Sequence, residues 1–339
     1  MNRIKAQIIQ EVAEDEKSVY RVIERQDSSL SEFLEVIDEL IKEGILELSD
    51  GKLRISESKR YIGKNFKHVE GKCKYCDGTG YTLDGFYTEV LSEFKKITKS
   101  RPPASEKFDQ GFMDEESVLR RLVFVHERGD IYGRIFIVGD DDLLSLAAGL
   151  TGLPKEIVVV EIDERIVNFI NTISNKYHLN VTAYLYDVQK SLPEQFKKKF
   201  DIFITDPVET IEGIRLFLSR GVSALSGLGC SGYFGLTTLE ASRRKWYEIE
   251  RMIQEMGFVL TDVRRKFNVY PLDEKNHSSF EEKTPLYRRL GIKAQHTWYA
   301  SALLRIESVR EPMPLIDGDL RINERIYKDD ETLATPDII

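Results

Sequence analysis

"RIFIVGDDDLLSLAAGL", residues 134–150, joins a β-branched apolar run to a helical pattern through Gly139-Asp140-Asp141-Asp142. In a nucleotide-binding α/β fold this junction carries a glycine turn, where free amides at a helix N-terminus attract an anion. Three carboxylates there reverse that preference. Any one of Asp140, Asp141 and Asp142 can cap the helix "LLSLAAGL", because aspartate is a favoured N-cap and suits the positive helix end. Capping accounts for one or two of them and leaves the third unexplained.

Outward from this stretch the chain is regular. "RIFIV", "EIVVVEI", "VTAYLY" and "DIFIT" are short strand-like runs separated by helical segments such as "DERIVNFINTISNKYH" and "IEGIRLFLSRGVSAL". Strand–helix alternation of this kind means a parallel sheet covered by helices on both faces. "CSGYFGLTT", "GFVLTDVRRKF" and "HTWYASALLRI" add three strands, the last two joined without an obvious helix. The expected fold class is α/β: a Rossmann-like adenosylmethionine-transferase sheet of seven strands, mostly parallel, over residues 116–310.

Residues 1–62 read as a small winged-helix-like domain. Helical spacing in "KSVYRVIERQ" and a helix opened by Ser31 and stopped by Gly44 precede a hairpin around Asp50-Gly51. Winged helices often bind DNA, but residues 1–60 hold 10 Lys/Arg against 14 Asp/Glu, and the candidate recognition helix "SEFLEVIDELIKE" is acidic. Phosphate neutralisation drives such binding, so packing or dimerisation is the expected role. Residues 63–115 read as an irregular linker, and residues 311–339 as a charged, peripheral, partly mobile tail.

Bulk composition narrows the partners. The 339-residue chain is 41% apolar and 31% charged, with net charge −8 and three cysteines. The negative balance argues against general nucleic-acid or membrane-surface binding and fits a cationic ligand. No signal peptide is visible, and no apolar run approaches the roughly 18 residues that span a bilayer. Few cysteines suit a reducing, cytoplasmic setting.

Four consecutive strands end in acid: at Asp140–Asp142, at Glu161-Ile162-Asp163, at Asp187, and at Asp206-Pro207. Ligands of open α/β sheets lie beyond these carboxyl ends. Glu161 suits ribose hydroxyls; the alternative is a solvated strand-end acid. Asp187 reads equally as a turn residue or as an acceptor for an adenine amino group. Asp206 sits at the topological switch point, where a group can reach the reacting atoms; the bland reading is a loop start, since proline disfavours helix at the residue before it.

The acidic loop discriminates between donors. Intact adenosylmethionine carries a carboxylate that three aspartates repel. Without that carboxylate the tail ends in ammonium, and opposite charges at about 4 Å gain on the order of 4 kcal/mol at an effective dielectric near 20. A decarboxylated sulfonium donor and a polycationic acceptor follow, which means aminopropyl transfer to a polyamine. The acceptor nitrogen titrates near pH 10, like lysine, so a carboxylate must orient it and help remove its proton.

At these residues the sequence resembles a known family. "IVGDDDLLSLA", "VVVEIDERIVNFI", "FDIFITDPVETIEGIRLFLSRG" and "GYFGLTTLEAS" are similar to segments of the branched-chain polyamine synthases, over residues 60–310. The resemblance implies decarboxylated S-adenosylmethionine as co-substrate and no prosthetic group. It implies spermidine as acceptor, attacked twice at N4, with methylthioadenosine released, and a cytoplasmic homodimer from a thermophile. It places Asp142 beside the acceptor nitrogen, Asp206 in the reacting centre and Glu161 on the ribose; from their places at the strand ends, Gly139, Asp140, Asp141, Asp163 and Asp187 are expected around the substrates. Glu209 is offered an acceptor ammonium, and Asp109-Gln110 resemble a pocket lid.

Two readings compete. Asp206-Pro207 resembles the start of the DPPY motif of amino-methylating enzymes, although Val208 and Glu209 stand where proline and tyrosine are needed. A polyamine-sensing regulator built on the winged unit is the other. Cys73-x-x-Cys76 resembles half of a zinc knuckle, and Cys230 supplies only a third thiol where a structural zinc site needs four ligands; a disulfide or inert surface thiols are the alternatives. The five histidines show no metal or triad spacing.

Overall fold

The structure, a computed structural model, describes residues 3–69, 71–321 and 326–336. The N-terminal unit runs α1 (Arg3–Glu11), β1 (Lys17–Ser18), α2 (Val19–Arg25), α3 (Leu30–Lys42), β2 (Leu46–Ser49) and β3 (Lys52–Ile55). The expected hairpin pairs Ser49 with Lys52 and gains a short third strand, in the order β1-β3-β2. Ser29, not Ser31, caps α3, in a reciprocal capping box with Glu32. The apolar face of α3 packs into one core with Leu239, Leu286, Ala294 and Trp298, so this unit is seated on the larger domain.

A short helix α4 (Arg60–Gly63) leads to the segment expected to be irregular. It contains a helix, α5 (Phe86–Thr98), whose Tyr87, Val90, Phe94 and Ile97 enter the main core. The charged residues of "FYTEVLSEFKKIT" mask its 3.6-residue apolar repeat. Helix α6 (Glu115–Glu127), capped by Asp114, follows.

The main sheet contains β4 (Arg134–Val138), β5 (Glu156–Glu161), β6 (Val181–Leu185), β7 (Ile202–Thr205), β8 (Ser231–Leu236), β9 (Phe258–Val269) and β10 (Ala300–Ser308). Their order is β6-β5-β4-β7-β8-β10-β9. All pairs are parallel except those of β10, which runs antiparallel to β8 and β9. Helices α5, α6, α7 (Leu144–Thr151) and α8 (Glu164–Tyr177) share the core on one face; α9 (Ile211–Ala224) and α10 (Arg243–Glu255) cover the other. The strand order reverses between β4 and β7, which brings Gly139 and Asp206 side by side at the carboxyl edge.

Two expectations change. Between β9 and β10 lie a 3₁₀ segment, His277–Lys283, and a helix α11 (Pro285–Leu290), hidden in the sequence by a six-residue length and a proline start. The C-terminal segment is not peripheral where it is described. The fully buried Arg220 donates to the carbonyls of Ile316 (3.0 Å), Gly318 (2.9 Å) and Val188 (2.8 Å), and Leu286 N–H donates to Leu333 O (3.0 Å). Residues 322–325 and 337–339 of the expected tail lie outside the described residues. Among the described residues no helix is long and apolar enough to cross a membrane.

Candidate active site

A cleft opens at the switch point. Its walls carry eight acidic residues (Glu106, Asp109, Asp141, Glu161, Asp187, Asp206, Glu209 and Glu240) and, among the described residues, no lysine or arginine. Phe108, Tyr186, Phe217, Tyr270, Tyr299 and Tyr327 supply the apolar surface.

The Gly139–Asp142 loop divides its acids by task. Gly139 adopts φ 75°, the left-handed region that glycine occupies without strain, and lines the cleft. Asp140 turns inward: its carboxylate accepts from Ser145 N–H (3.2 Å) at the start of α7, while its own N–H donates to Glu161 Oε2 (2.9 Å). Asp141 faces the cleft and accepts from Gly111 N–H (3.1 Å). Asp142, expected beside the acceptor nitrogen, is buried outside the cleft lining, accepts from Met113 N–H (2.6 Å), and offers its carbonyl to Arg101 (3.1 Å). The loop's cleft-facing acid is therefore Asp141, because the turn into α7 aims the residues on either side of it at the protein.

Asp206 also faces the cleft, held in a two-pronged ion pair by Arg121 of α6 (2.6 and 2.8 Å), whose side chain is fully buried. Burial works against the Arg121 charge, and Asp206 outweighs it, so the guanidinium stays firmly charged. Gly235 of β8 makes room: a Cβ there would stand 2.2 Å from Asp206 Oδ1. Sequence reasoning missed Arg121, since nothing local to "SVLRRLVF" separates the arginine that pairs with Asp206 from the partly buried Arg120 beside it.

Glu161 anchors the second strand end. Its two oxygens accept from Asp140 N–H (2.9 Å) and Asp163 N–H (2.8 Å), which fixes the carboxylate at the cleft wall with lone pairs left over. Asp163 caps α8, pairs with Arg165 (2.6 Å), and accepts from Gln110 (3.0 Å), so it braces the site without lining it. Gln110 lines the cleft and links the Asp109 segment to that brace. Asp187 lines the cleft and closes a turn on Gln189 N–H (2.9 Å).

Glu209 and Glu240 form the far end. Glu209 Oε1 accepts from Thr237 N–H (2.7 Å), while Oε2 is buried with no hydrogen-bond partner. Glu240 accepts from Tyr299 O–H (2.9 Å) and from Ala334 N–H (2.7 Å), and Thr335 O–H reaches Asp109 (3.5 Å). The sequence signal for Glu240 was present, as the acid closing "GYFGLTTLE" after the fifth strand.

Crowding leaves its mark on the acids. Burial, then the Asp206 charge, pushes Asp141 up to about 6. Burial alone dominates at Asp140 (about 8) and Glu161 (about 7), against the amides that lower them. Burial and Glu240 push Asp109 and Glu209 well above the usual carboxylate range, and burial, Asp141 and Asp206 do so for Asp142. Burial also raises Asp163, but Arg165 and Gln110 outweigh it and hold it low. His277, lining the cleft beside Gly111, is driven down to about 4 by burial and is neutral. Such a site is short of positive charge.

Cys73 and Cys76 lie in a turn, Cys230 is buried just before β8, and all three are free thiols. Among the described residues no three His, Cys, Asp or Glu side chains gather as a metal site.

Residues 89–334 match the family described as the branched-chain polyamine synthase A C-terminal domain. The chain is 39% identical over 268 residues to the N(4)-bis(aminopropyl)spermidine synthase of Thermococcus kodakarensis, covering 78% of this chain and 74% of that one. It is 33% identical over 323 residues to that of Methanocaldococcus jannaschii, covering 93% and 90%. The crystal structure of the Thermus thermophilus branched-chain polyamine synthase, in complex with N4-aminopropylspermidine and 5'-methylthioadenosine, superposes with TM-score 0.87 at 30% identity, covering 98% of this chain and 93% of that one. With an acidic cleft at the switch point of the sheet and a match of this extent, the chain belongs to the branched-chain polyamine synthase family.

Proposed function

We propose that this chain is an aminopropyltransferase that moves the aminopropyl group of decarboxylated S-adenosylmethionine to N4 of spermidine, twice, to give N4-bis(aminopropyl)spermidine and methylthioadenosine. The observation that carries this reading is the cleft wall of eight carboxyl groups with no lysine or arginine among the described residues. Intact adenosylmethionine would bring a carboxylate into that field, which also disfavours methyl transfer. The related enzymes named above act on, or were solved with, molecules of this polyamine and methylthioadenosine chemistry.

In this reading Glu161 takes the ribose hydroxyls, Asp187 the adenine amino group, and Gly139 gives close approach. Glu209, with its free buried oxygen, takes one spermidine ammonium together with Glu240, and Asp109 stands beside Glu240 at that same end. Asp141 and Asp206 flank the reacting nitrogen. The lone pair of N4 attacks the carbon next to the sulfonium, the C–N bond forms, the C–S bond breaks, and its electrons return to sulfur. In each round the nitrogen must first shed a proton, and Asp141, raised toward neutrality, is the acceptor. Carboxylates alone would hold every amine protonated. Arg121 cancels one charge at Asp206, so the central nitrogen can be neutral while the terminal ammonium groups stay charged. The second transfer starts from a tertiary amine and yields a quaternary ammonium.

The partners are spermidine and the decarboxylated donor, in a cytoplasmic homodimer. Incubating purified protein with both and analysing products by mass spectrometry is the direct test. Branched pentaamine with methylthioadenosine is expected; transfer of a labelled methyl group from intact adenosylmethionine contradicts the assignment.

A further inference from the structure

Behind the acidic cleft, between the N-terminal unit and the main sheet, lies a second cavity of about 230 Å³. Its lining includes Lys72, Arg265, Lys266, Thr238, Trp298 and Tyr299. Tyr299 belongs to both cavities, and the Thr238–Glu240 turn presents Thr238 and Leu239 to one and Glu240 to the other.

In a chain of net charge −8 this cavity is set in a basic neighbourhood. Arg265 shares one carboxylate, Asp27, with Arg243 (2.9 Å) and Arg3, at 3.4 Å from its own guanidinium. Lys72 has Asp77 at 4.0 Å, and that aspartate is 89% exposed. Glu24, the other acid in the lining, pairs with Arg21 (2.9 Å). Lys266 projects from a bulge in β9, where three residues, 265–267, oppose Ala302 of β10, and it adopts φ 51°, a conformation uncommon for lysine. Its ammonium meets the Glu24 carbonyl at the end of α2, which explains one cation as a helix cap. Burial, and then the positive charge of Lys72, lower its proton affinity to about 8; the Glu24 charge opposes them, and Arg265 and Arg25 add to the lowering. Strain and like-charge crowding at one cavity call for an anion.

We propose that this interdomain cavity binds a multivalent phosphate, held by Lys72, Arg265 and Lys266 with Trp298 in the wall. The class follows from the chemistry: three cationic residues line one cavity, as di- and triphosphates require, and a single carboxylate would leave most of them unmatched. The site is separate from the polyamine cleft and rests on none of the substrate assignments above. Tyr299 stands between the two cavities, and its hydroxyl donates to Glu240.

The test is calorimetric titration of the whole protein with inorganic tripolyphosphate and with ATP, in magnesium-free buffer without spermidine, which would sequester phosphates. Saturable binding that raises the melting temperature is expected, weakened about tenfold or more in Arg265→Ser and in Lys266→Met, the usual loss for a charged hydrogen bond. Lys72→Ala, at the cavity mouth, serves where Lys266→Met fails to fold. Equal affinity for the two ligands assigns the site to phosphate alone, and tighter ATP binding assigns it to a nucleotide seated by Trp298. No saturable binding at millimolar ligand, or binding unchanged in the variants, overturns the proposal.

Discussion

The cleft and the cavity behind it lie on either side of Tyr299, with opposite charge. In front, eight acidic residues line the cleft with no lysine or arginine among the described residues; behind, Lys72, Arg265 and Lys266 line one cavity, Arg265 beside an overcommitted Asp27. The difference teaches that a net charge of −8 describes neither place. Each region carries its own local balance, acidic in the cleft and basic in the cavity, which the net charge averages away.

The strongest way to break this contrast is at the Arg121–Asp206 pair, where a buried arginine holds a cleft-facing acid. Asp206→Asn is expected to lower kcat by about 10² to 10⁴-fold, the range for a positioned acid–base group. Arg121→Met leaves Asp206 without its partner and is expected to cost about 3 kcal/mol of stability, read by denaturant unfolding. An unchanged midpoint would show that the pair does not hold α6 to the sheet edge.

Next in size is the ordering within the loop. Asp141→Asn should lower turnover by at least about 10²-fold. Asp142→Asn keeps an oxygen for the Met113 amide and should cost less. The reverse ordering would move the acceptor nitrogen back to Asp142.

The same variant separates function from stability. Asp141 holds its proton more tightly folded (about 6) than unfolded, near the ordinary 3.8. Its contribution therefore favours the fold increasingly as pH falls from about 7 to 4, and is unfavourable above that window. Asp141→Asn removes the penalty, so the ligand-free variant should melt higher than wild type at pH 8 and show no such gain at pH 4. Smallest is the proton linkage of binding. Spermidine favours the ionised acids, so its affinity should rise from pH 5.5 to 7.5 with proton release, seen by calorimetry in two buffers of different ionisation enthalpy. A flat profile would mean Asp141 is already ionised or does not face the amine.

The parallel sheet was legible because "RIFIV", "EIVVVEI" and "DIFIT" are apolar on both faces, a pattern that a two-sided helical cover demands. The acids at strand ends were legible for the same reason: topology, not side-chain contact, brings them to one edge. Which acid points where was not. Asp140, Asp141 and Asp142 are identical as letters, and only the left-handed Gly139 and the Leu143 N-cap (φ 61°) decide that the middle one faces out. Arg121 and Lys266 were illegible because their partners are 85 and 242 residues away. The C-terminal segment read as surface because its anchors are carbonyls and amides, which composition does not record; Arg220 and Glu240 hold it through backbone atoms.

The central claim is that the cleft selects donors by charge. Competitive calorimetry of decarboxylated and intact S-adenosylmethionine, in wild type and Asp141→Asn, measures it directly. The account predicts tighter binding of the decarboxylated form to wild type and a narrowed gap in the variant. Tighter binding of the carboxylate-bearing form to wild type contradicts it.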